Sequence, residues 1–581
     1  MMFRRDSLHS NWMAILAWLA AALCLLPIGA VTLAALSGGT ETIGSLATTV
    51  LPLYTITTLK LVIIVAIGTG VIGTGAAWLV TMTHFPGRRI LEIALALPLA
   101  FPAYVLAYAY TDFLSHPGWV QTTLRDLTGW GPRDYWFPEI RSLSGAAAML
   151  TLVLYPYVYL LTRAAFLQQS ATAFLAARAL GQGAWRTFFR ISLPMARPAV
   201  AGGVLLTVME TIADYGTVAH FGVQTFSTGI IRSWISFTDR TGAAQLALVL
   251  LVFALVLAWL ERKQRGEARH HGAGRRHEVM APMPLSRLAS LGAILFCGIP
   301  VLLGFLLPVG LLLWMGWDHF YRLVPEWILS RFVETEGLLL VGGYLDFLRN
   351  SALLAAAGAA LTVIAAVALS SNARLYPTPR AQTALLIAGI GYAVPGAVIA
   401  LGLLVPFAAF DNALDSFMEA RFGIDTGLLI TGSIWLMVLA YVVRFMAAAL
   451  GAYGSGLAQV NPNIDAVART LGRSPQRTLL GLHLPMLKPS VFTALLIVFV
   501  DVMKELPATL VMRPFNWDTL AVQAHRLASD ERLHEAAVPS LVIAAVGLLP
   551  VIVLCRGLGQ HRQMPASDMP DPVKGSVGAS G

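Results

Sequence analysis

Long apolar runs recur along this chain, each about as long as a bilayer is thick. A hydrocarbon core about 30 Å across needs roughly 20 apolar residues at about 1.5 Å per residue. Runs of that kind fall at residues 13–36, 56–82, 92–113, 144–167, 199–221 and 243–260, then at 289–315, 347–371, 382–410, 428–451, 488–512 and 537–556. Six plus six spans predict an all-α integral membrane protein of about twelve transmembrane helices. Of the 581 residues, 57% are hydrophobic and 12% charged, against about 25% charged in an average soluble domain. A soluble fold could not hide so much apolar surface, so the bilayer must act as solvent for much of the chain. No small-residue cleavage site follows the first run, which Arg4 and Arg5 precede, so it reads as a retained helix rather than a signal.

The two series repeat one another. Ala-Arg-Ala-Leu-Gly at 177–181 returns as Ala-Arg-Thr-Leu-Gly at 468–472, and Leu193-Pro194 returns as Leu484-Pro485. Phe85-Pro86 likewise matches Tyr376-Pro377, and Pro198 matches Pro489, all at an offset of 291 residues. Equal order and equal orientation of the spans make this a parallel repeat about an axis along the membrane normal. The expected division is a first repeat over 1–260, a linker over 261–287, a second repeat over 288–558 and a disordered tail over 559–581. The linker carries seven Lys or Arg against three acids, with His270 and His271 inside it, and reads as flexible and solvated.

Charge sets the orientation. A net charge of +9 could suggest nucleic acid, but the basic residues gather in short loops beside the spans, as membrane topology requires. Arg88 and Arg89, the stretch 178–197, the linker, Arg374 and Arg380, and the stretch 469–488 then lie in the cytoplasm with both termini. The opposite loops agree, since 318–346 holds five acids against two bases and 411–425 holds four against one. Cys24, Cys297 and Cys555 each sit alone in an apolar run and read as small core hydrophobes.

Between the fourth and fifth spans of each repeat lies a segment of about 25 residues. Its sequence predicts an Ala-rich helix ended by a left-handed glycine, Gly181 or Gly472, then an amphipathic helix stopped at Pro194 or Pro485. Pro198 and Pro489 would open the next membrane helix. A single such elbow would most simply rest on lipid; two at one register suit a two-fold protein partner.

The fifth spans carry acids in apolar surroundings, Glu210 and Asp214 in the first repeat and Asp501 and Glu505 in the second. Each pair is four residues apart and is expected on one helical face. Ionisable groups at membrane depth usually face a bundle interior or watery cavity, which makes them candidate pathway residues together with Tyr215. In the bland alternative, Lys504 neutralises a neighbour and the upper acids sit among wet headgroups.

The duplicated elbow resembles the EAA loop of ABC importer permeases, a Glu-Ala-Ala, three residues, Gly, nine residues, Ile, one residue, Leu-Pro pattern that couples the membrane subunit to its ATPase. The glycine and Leu-Pro positions match; the acid position is Leu175 in one copy and Ala466 in the other, with Asp465 one residue earlier. The resemblance implies the type I importer permease fold and ATPase-coupling roles for Ala176, Ala177, Gly181, Leu193, Pro194, Asp465, Ala468, Gly472, Leu484 and Pro485. Segments 214–234 and 504–520 are similar to those of ferric-iron permeases with two fused halves. What this implies is a bacterial inner-membrane subunit working with two copies of an ATPase and an extracytoplasmic binding protein.

No Gly-x-x-x-x-Gly-Lys-Ser/Thr loop is present to cradle ATP, so hydrolysis is assigned to another chain, and no cofactor is expected on this one. Carboxylate and phenolate oxygens suit hard ferric iron, but conduction needs weak sites, so no stable metal site is expected. Permeases for thiamine, phosphonates or polyamines share the elbow and halves. A twelve-helix secondary transporter also has two parallel halves, although Thr83 to Arg89 only faintly echoes its usual loop, and the duplicated elbow has no place there.

Overall fold

The computed structural model describes residues 11–37, 39–167, 169, 184–268, 283–323 and 344–560. Among them, ten helices are long and apolar enough to cross a membrane, and two bent pairs bring the total to twelve. The first repeat supplies Trp12–Ser37, Leu51–Met82, the bent pair Arg88–Ala100 with Ala103–Thr128, Leu143–Leu167, Phe188–Ala213 and Arg240–Leu260. The second supplies Arg287–Phe320, Tyr344–Leu375, Gly396–Phe422, Ile434–Gln459, the bent pair Pro475–Met486 with Lys488–Met503, and Leu533–Val553.

Three departures from the sequence expectation have local causes. The third span, expected unbroken over 92–113, bends by 92° where Phe101 turns extended (φ −87°, ψ 138°) ahead of Pro102. A residue before proline is driven out of the helical region by the proline ring. The same cause splits the ninth span, expected over 382–410: Val394 is extended before Pro395, and the long helix starts only at Gly396. The fifth and eleventh spans, expected to reach 221 and 512, stop at Ala213 and Met503, and short helices Gly216–His220 and Pro507–Met512 follow each break.

The two halves interlock. The first span packs against the eighth and ninth spans of the other repeat as well as against the sixth. At Gly402 a Cβ would lie 2.4 Å from the carbonyl oxygen of Pro27, so only glycine lets these two helices meet. Reciprocally, the seventh span lies against the second, third and fourth spans and against the twelfth. Gly547 of the twelfth sits so close to the third that a Cβ would come within 2.1 Å of the Ala100 carbonyl oxygen.

The helix of the sixth span runs on to Ala268, beyond the expected edge at 260, because its last two turns are rich in Arg, Lys and Glu that favour helix and water alike. Past residues 269–282, which include His270 and His271 and lie outside the described part, Met283–Pro284 pairs in parallel with Thr83–His84. Ser286 then caps the seventh span by accepting from the Ala289 N–H. The ninth-span helix runs on to Phe422, past the expected end at 410, and its Asp411 accepts from the backbone of Ile430 and Thr431, and its Asp415 from Thr426 and Gly427, in the loop that follows.

Candidate functional site

Of the first elbow, Ala176, Ala177 and Gly181 lie outside the described residues. Its second helix does not stop at Pro194. Phe188 to Ala213 forms one helix in which Leu193 and Pro194 occupy a first α-turn and Pro198 lies inside. Pro194 follows directly on a π-turn over Phe188–Ser192, an irregularity of the kind that accompanies local breaks in the i→i−4 ladder. The second elbow does stop. Helix Pro462–Thr470 ends at Gly472, whose φ of +71° is the left-handed cap foreseen from sequence. A second helical segment runs from Pro475 to Met486, and after a 78° bend at Leu487 the fifth span of the repeat begins with Pro489 in its first turn.

The residues matched to the coupling motif divide by exposure. Gly472 and Pro485 are exposed and Leu484 is half-buried, whereas Ala468 is 2% exposed and Asp465 8%. Asp465 faces inward. Arg374, in the last turn of the eighth span, donates from Nε to Asp465 Oδ2 at 2.7 Å, and His483 Nε2 lies 2.7 Å from Asp465 Oδ1. Burial pushes the Asp465 carboxyl up, but these hydrogen bonds and charges outweigh it and hold the group below its ordinary value. The outward face presents Val467, Leu471, Leu480 and Met486 beside Arg469, Arg473 and Arg477.

The four intramembrane acids gather where the halves meet, but not on one helical face as expected. Asp214 and Glu505 lie just past their helix ends and hold the short helices that follow. Asp214 accepts from the Val218 N–H at 3.1 Å and the Thr217 hydroxyl at 3.0 Å. Glu505 accepts from the Ala508 N–H at 3.0 Å, the Thr509 N–H at 2.9 Å and the Thr509 hydroxyl at 2.6 Å. Each carboxylate satisfies donors that a helix start leaves without partners. Glu505 also has Arg444 at 3.7 Å, and Lys504 pairs with Asp501 at 2.9 Å.

Tyrosines tie the acids together across the repeat boundary. Tyr157 of the first repeat is within electrostatic reach of both Glu210 and Asp501. Tyr104 stands in the same relation to Asp214 and Glu505, and its hydroxyl donates to the Lys504 carbonyl at 3.4 Å. A Cβ on Gly216 would strike both Tyr104 and Leu506, so the two short helices close on each other here. Further from the elbows, Tyr108 bonds His525 at 3.1 Å, and the Tyr215 ring stands 5.6 Å from that of His525.

Sequence reasoning singled out Glu210, Asp214, Tyr215, Asp501 and Glu505 and missed Tyr104, Tyr108, Tyr157, Arg444 and His525. Arg444 was findable, as a lone cation inside the apolar run 428–451. The tyrosines were not, because an aromatic residue in a membrane helix carries no mark of which way it faces. Among the described residues, no group of three or more His, Cys, Asp or Glu could hold a metal ion.

A family model described as "Binding-protein-dependent transport system inner membrane component" matches this chain twice, over residues 69–265 and 358–560. The Fe(3+)-transport system permease protein FbpB 2 of Haemophilus influenzae is 26% identical over 515 residues, covering 86% of this chain and 88% of that protein. The molybdenum transport system permease protein ModB of Escherichia coli is 27% identical over 204 residues, 33% of this chain and 85% of that protein. A probable sulfate transport system permease protein cysT of Nephroselmis olivacea is 26% identical over 252 residues, 42% and 86% respectively.

Proposed function

Because the chain belongs to the family of binding-protein-dependent transport system inner membrane components, we propose that it is the fused permease subunit of an ATP-driven importer whose cargo is ferric iron. The observation that carries the iron reading is the end-to-end match to a two-halved Fe(3+) permease, against matches to less than half of this chain for the oxyanion permeases. Charge supports it. Glu210, Asp214, Asp501 and Glu505 outnumber Lys504 and Arg444 on the inter-half axis, an excess that suits a cation better than molybdate or sulfate.

In this reading both termini and both elbows face the cytoplasm, where each elbow docks one copy of a separate ATPase. Ala176, Ala177 and Gly181 of one copy and Gly472, Leu484 and Pro485 of the other serve that docking. A loaded binding protein delivers cargo at the opposite face. ATP binding draws the ATPases together, the elbows swing, and the halves part around the acid and tyrosine axis; hydrolysis returns them. Carboxylates already engaged as helix caps can offer iron only brief contacts, which favours passage over trapping. The chain makes and breaks no covalent bond and carries no cofactor.

Uptake of radiolabelled ferric iron is the test, in cells expressing this chain with its ATPase and binding protein, beside a hydrolysis-dead ATPase. Accumulation that needs the active ATPase supports the reading. Absence of iron uptake by an assembled complex removes iron, and thiamine, phosphonates and polyamines become the cargoes to test.

A further inference from the structure

Asp465 joins three elements at one carboxylate. Oδ2 takes the Arg374 Nε–H from the end of the eighth span, and Oδ1 meets His483 from the second helical segment of the elbow. The same guanidinium also donates to the carbonyls of Leu457 and Val460, at the elbow end of the tenth span, the latter at 2.8 Å. His483 is wholly buried. Two membrane spans and both arms of the elbow are thus fastened through one arginine and one aspartate.

The repeat makes the other elbow a built-in control. At the 291-residue offset, Arg374 corresponds to Thr83, Asp465 to Phe174 and His483 to Ser192. No ion pair can form from that set. Thr83 instead belongs to the short strand paired with Met283, and among the described residues the hydroxyl of Ser192 has no hydrogen-bond partner. The described part of the first elbow, Ala184–Ser192, runs straight into its span, while the second elbow meets its span across a 78° bend. A bend at that joint would absorb any push along the elbow unless a second connection carried it.

We infer that Arg374, Asp465 and His483 are positioning residues of the coupling step, a clamp that makes the second elbow move as one body with the eighth and tenth spans. This rests on the importer reading above. A carboxylate fixed by one bidentate-capable guanidinium and one buried imidazole resists rotation far better than apolar packing, because charge-assisted hydrogen bonds are directional. Asp465 precedes the motif's acid position, which is the exposed Ala466, and its carboxylate is engaged inward at this joint.

The test uses the intact complex with its ATPase. Asp465→Asn keeps the shape and removes the charge, and Arg374→Met removes the guanidinium; each is expected to cut cargo moved per ATP by about tenfold, the scale of a typical coupling free energy between sites. ATPase binding and hydrolysis stay near the unaltered level. His483→Gln, which keeps a donor, transports more than His483→Ala, and Thr83→Ala or Ser192→Ala in the first repeat leaves the ratio unchanged. A merely structural defect lowers assembly, hydrolysis and transport together, and that result overturns the inference, as does unchanged transport per ATP. A second readout is independent of cargo: a nitroxide on Leu471→Cys in the permease alone should gain mobility with Asp465→Asn. Unchanged mobility overturns the clamp even if no cargo is found, whereas loss of all ATP-driven transport in the unaltered complex, with the mobility gain intact, sinks only the importer reading.

Discussion

Replacing Glu505 separates scaffold from pathway. Its carboxylate, 4% exposed as a residue, accepts three hydrogen bonds from Ala508 and Thr509 and stands 3.7 Å from Arg444. Glu505→Ala strips the start of a short helix of its acceptor, a loss of about 0.5–2 kcal/mol. It also leaves the Arg444 charge in a largely buried setting without its partner, which costs about 3–5 kcal/mol where an ion pair is tight and fully desolvated. The 3.7 Å separation and residual exposure of Arg444 place this pair below that range, so a total of about 3–4 kcal/mol is expected. Glu505→Gln keeps an oxygen that can accept from the helix start and loses only the charge, for about 1–2 kcal/mol. Thermal unfolding of the purified protein in detergent, followed by monodisperse recovery on size exclusion, ranks the three. The expected order is native, then Gln, then Ala, with the Ala variant several degrees below the Gln variant. If both variants unfold with the native protein but lose uptake, Glu505 serves cargo alone and the scaffold argument is wrong.

Asp214→Asn retains an acceptor for Val218 and Thr217 and should cost under about 1 kcal/mol in the same unfolding assay, while Asp214→Ala costs about 1–2 kcal/mol. Gly547→Val drives a side chain into the Ala100 carbonyl, and overpacking of this severity costs about 1–3 kcal/mol or prevents insertion; native-level yield and melting would refute the close packing of the twelfth and third spans. The Asp465 carboxyl lies below its ordinary value when folded, so its contribution is complete above the unfolded value and disappears as pH falls through the lower folded one. Hydrogen-exchange protection over 462–470 should therefore hold steady from neutral pH down to about 5 and weaken below about 4, and protection that is flat to lower pH would contradict the clamp. Arg141 and Glu531 form an exposed pair at 2.7 Å that joins the repeats, and Arg141→Ala should change stability by no more than about 1 kcal/mol, less in high salt.

Sequence made the spans and their pairing legible because the bilayer imposes a length and the duplication supplies its own alignment. Gly472 as a left-handed cap was readable for the same kind of reason, since few residues end a helix that way. What could not be read was where a span would break. Pro102 and Pro395 mark bends, yet Pro156 and Pro406 sit inside continuous helices, and nothing local distinguishes the two cases. The intramembrane acids were found, but their geometry was not, because helix spacing was extended across Asp214 and Glu505 when those residues in fact end the helix and cap the next. Arg374 was noticed only as a topological charge. Its partner lies 91 residues away, and pairing over that distance is set by the packing of the eighth and tenth spans rather than by any pattern.

The crossed seating of the first span has a consequence for how the protein is made. The groove that receives Pro27 is built by Gly402 and its neighbours, 375 residues further along the chain. At about 5–20 residues per second, the first helix leaves the ribosome roughly 20–75 s before its seat exists. Throughout that interval it must wait in lipid, apolar on all sides and bound only to its own half. Fusing the halves keeps the waiting helix tethered to the one seat that will fit it, so that assembly becomes a matter of chain order rather than of chance encounter.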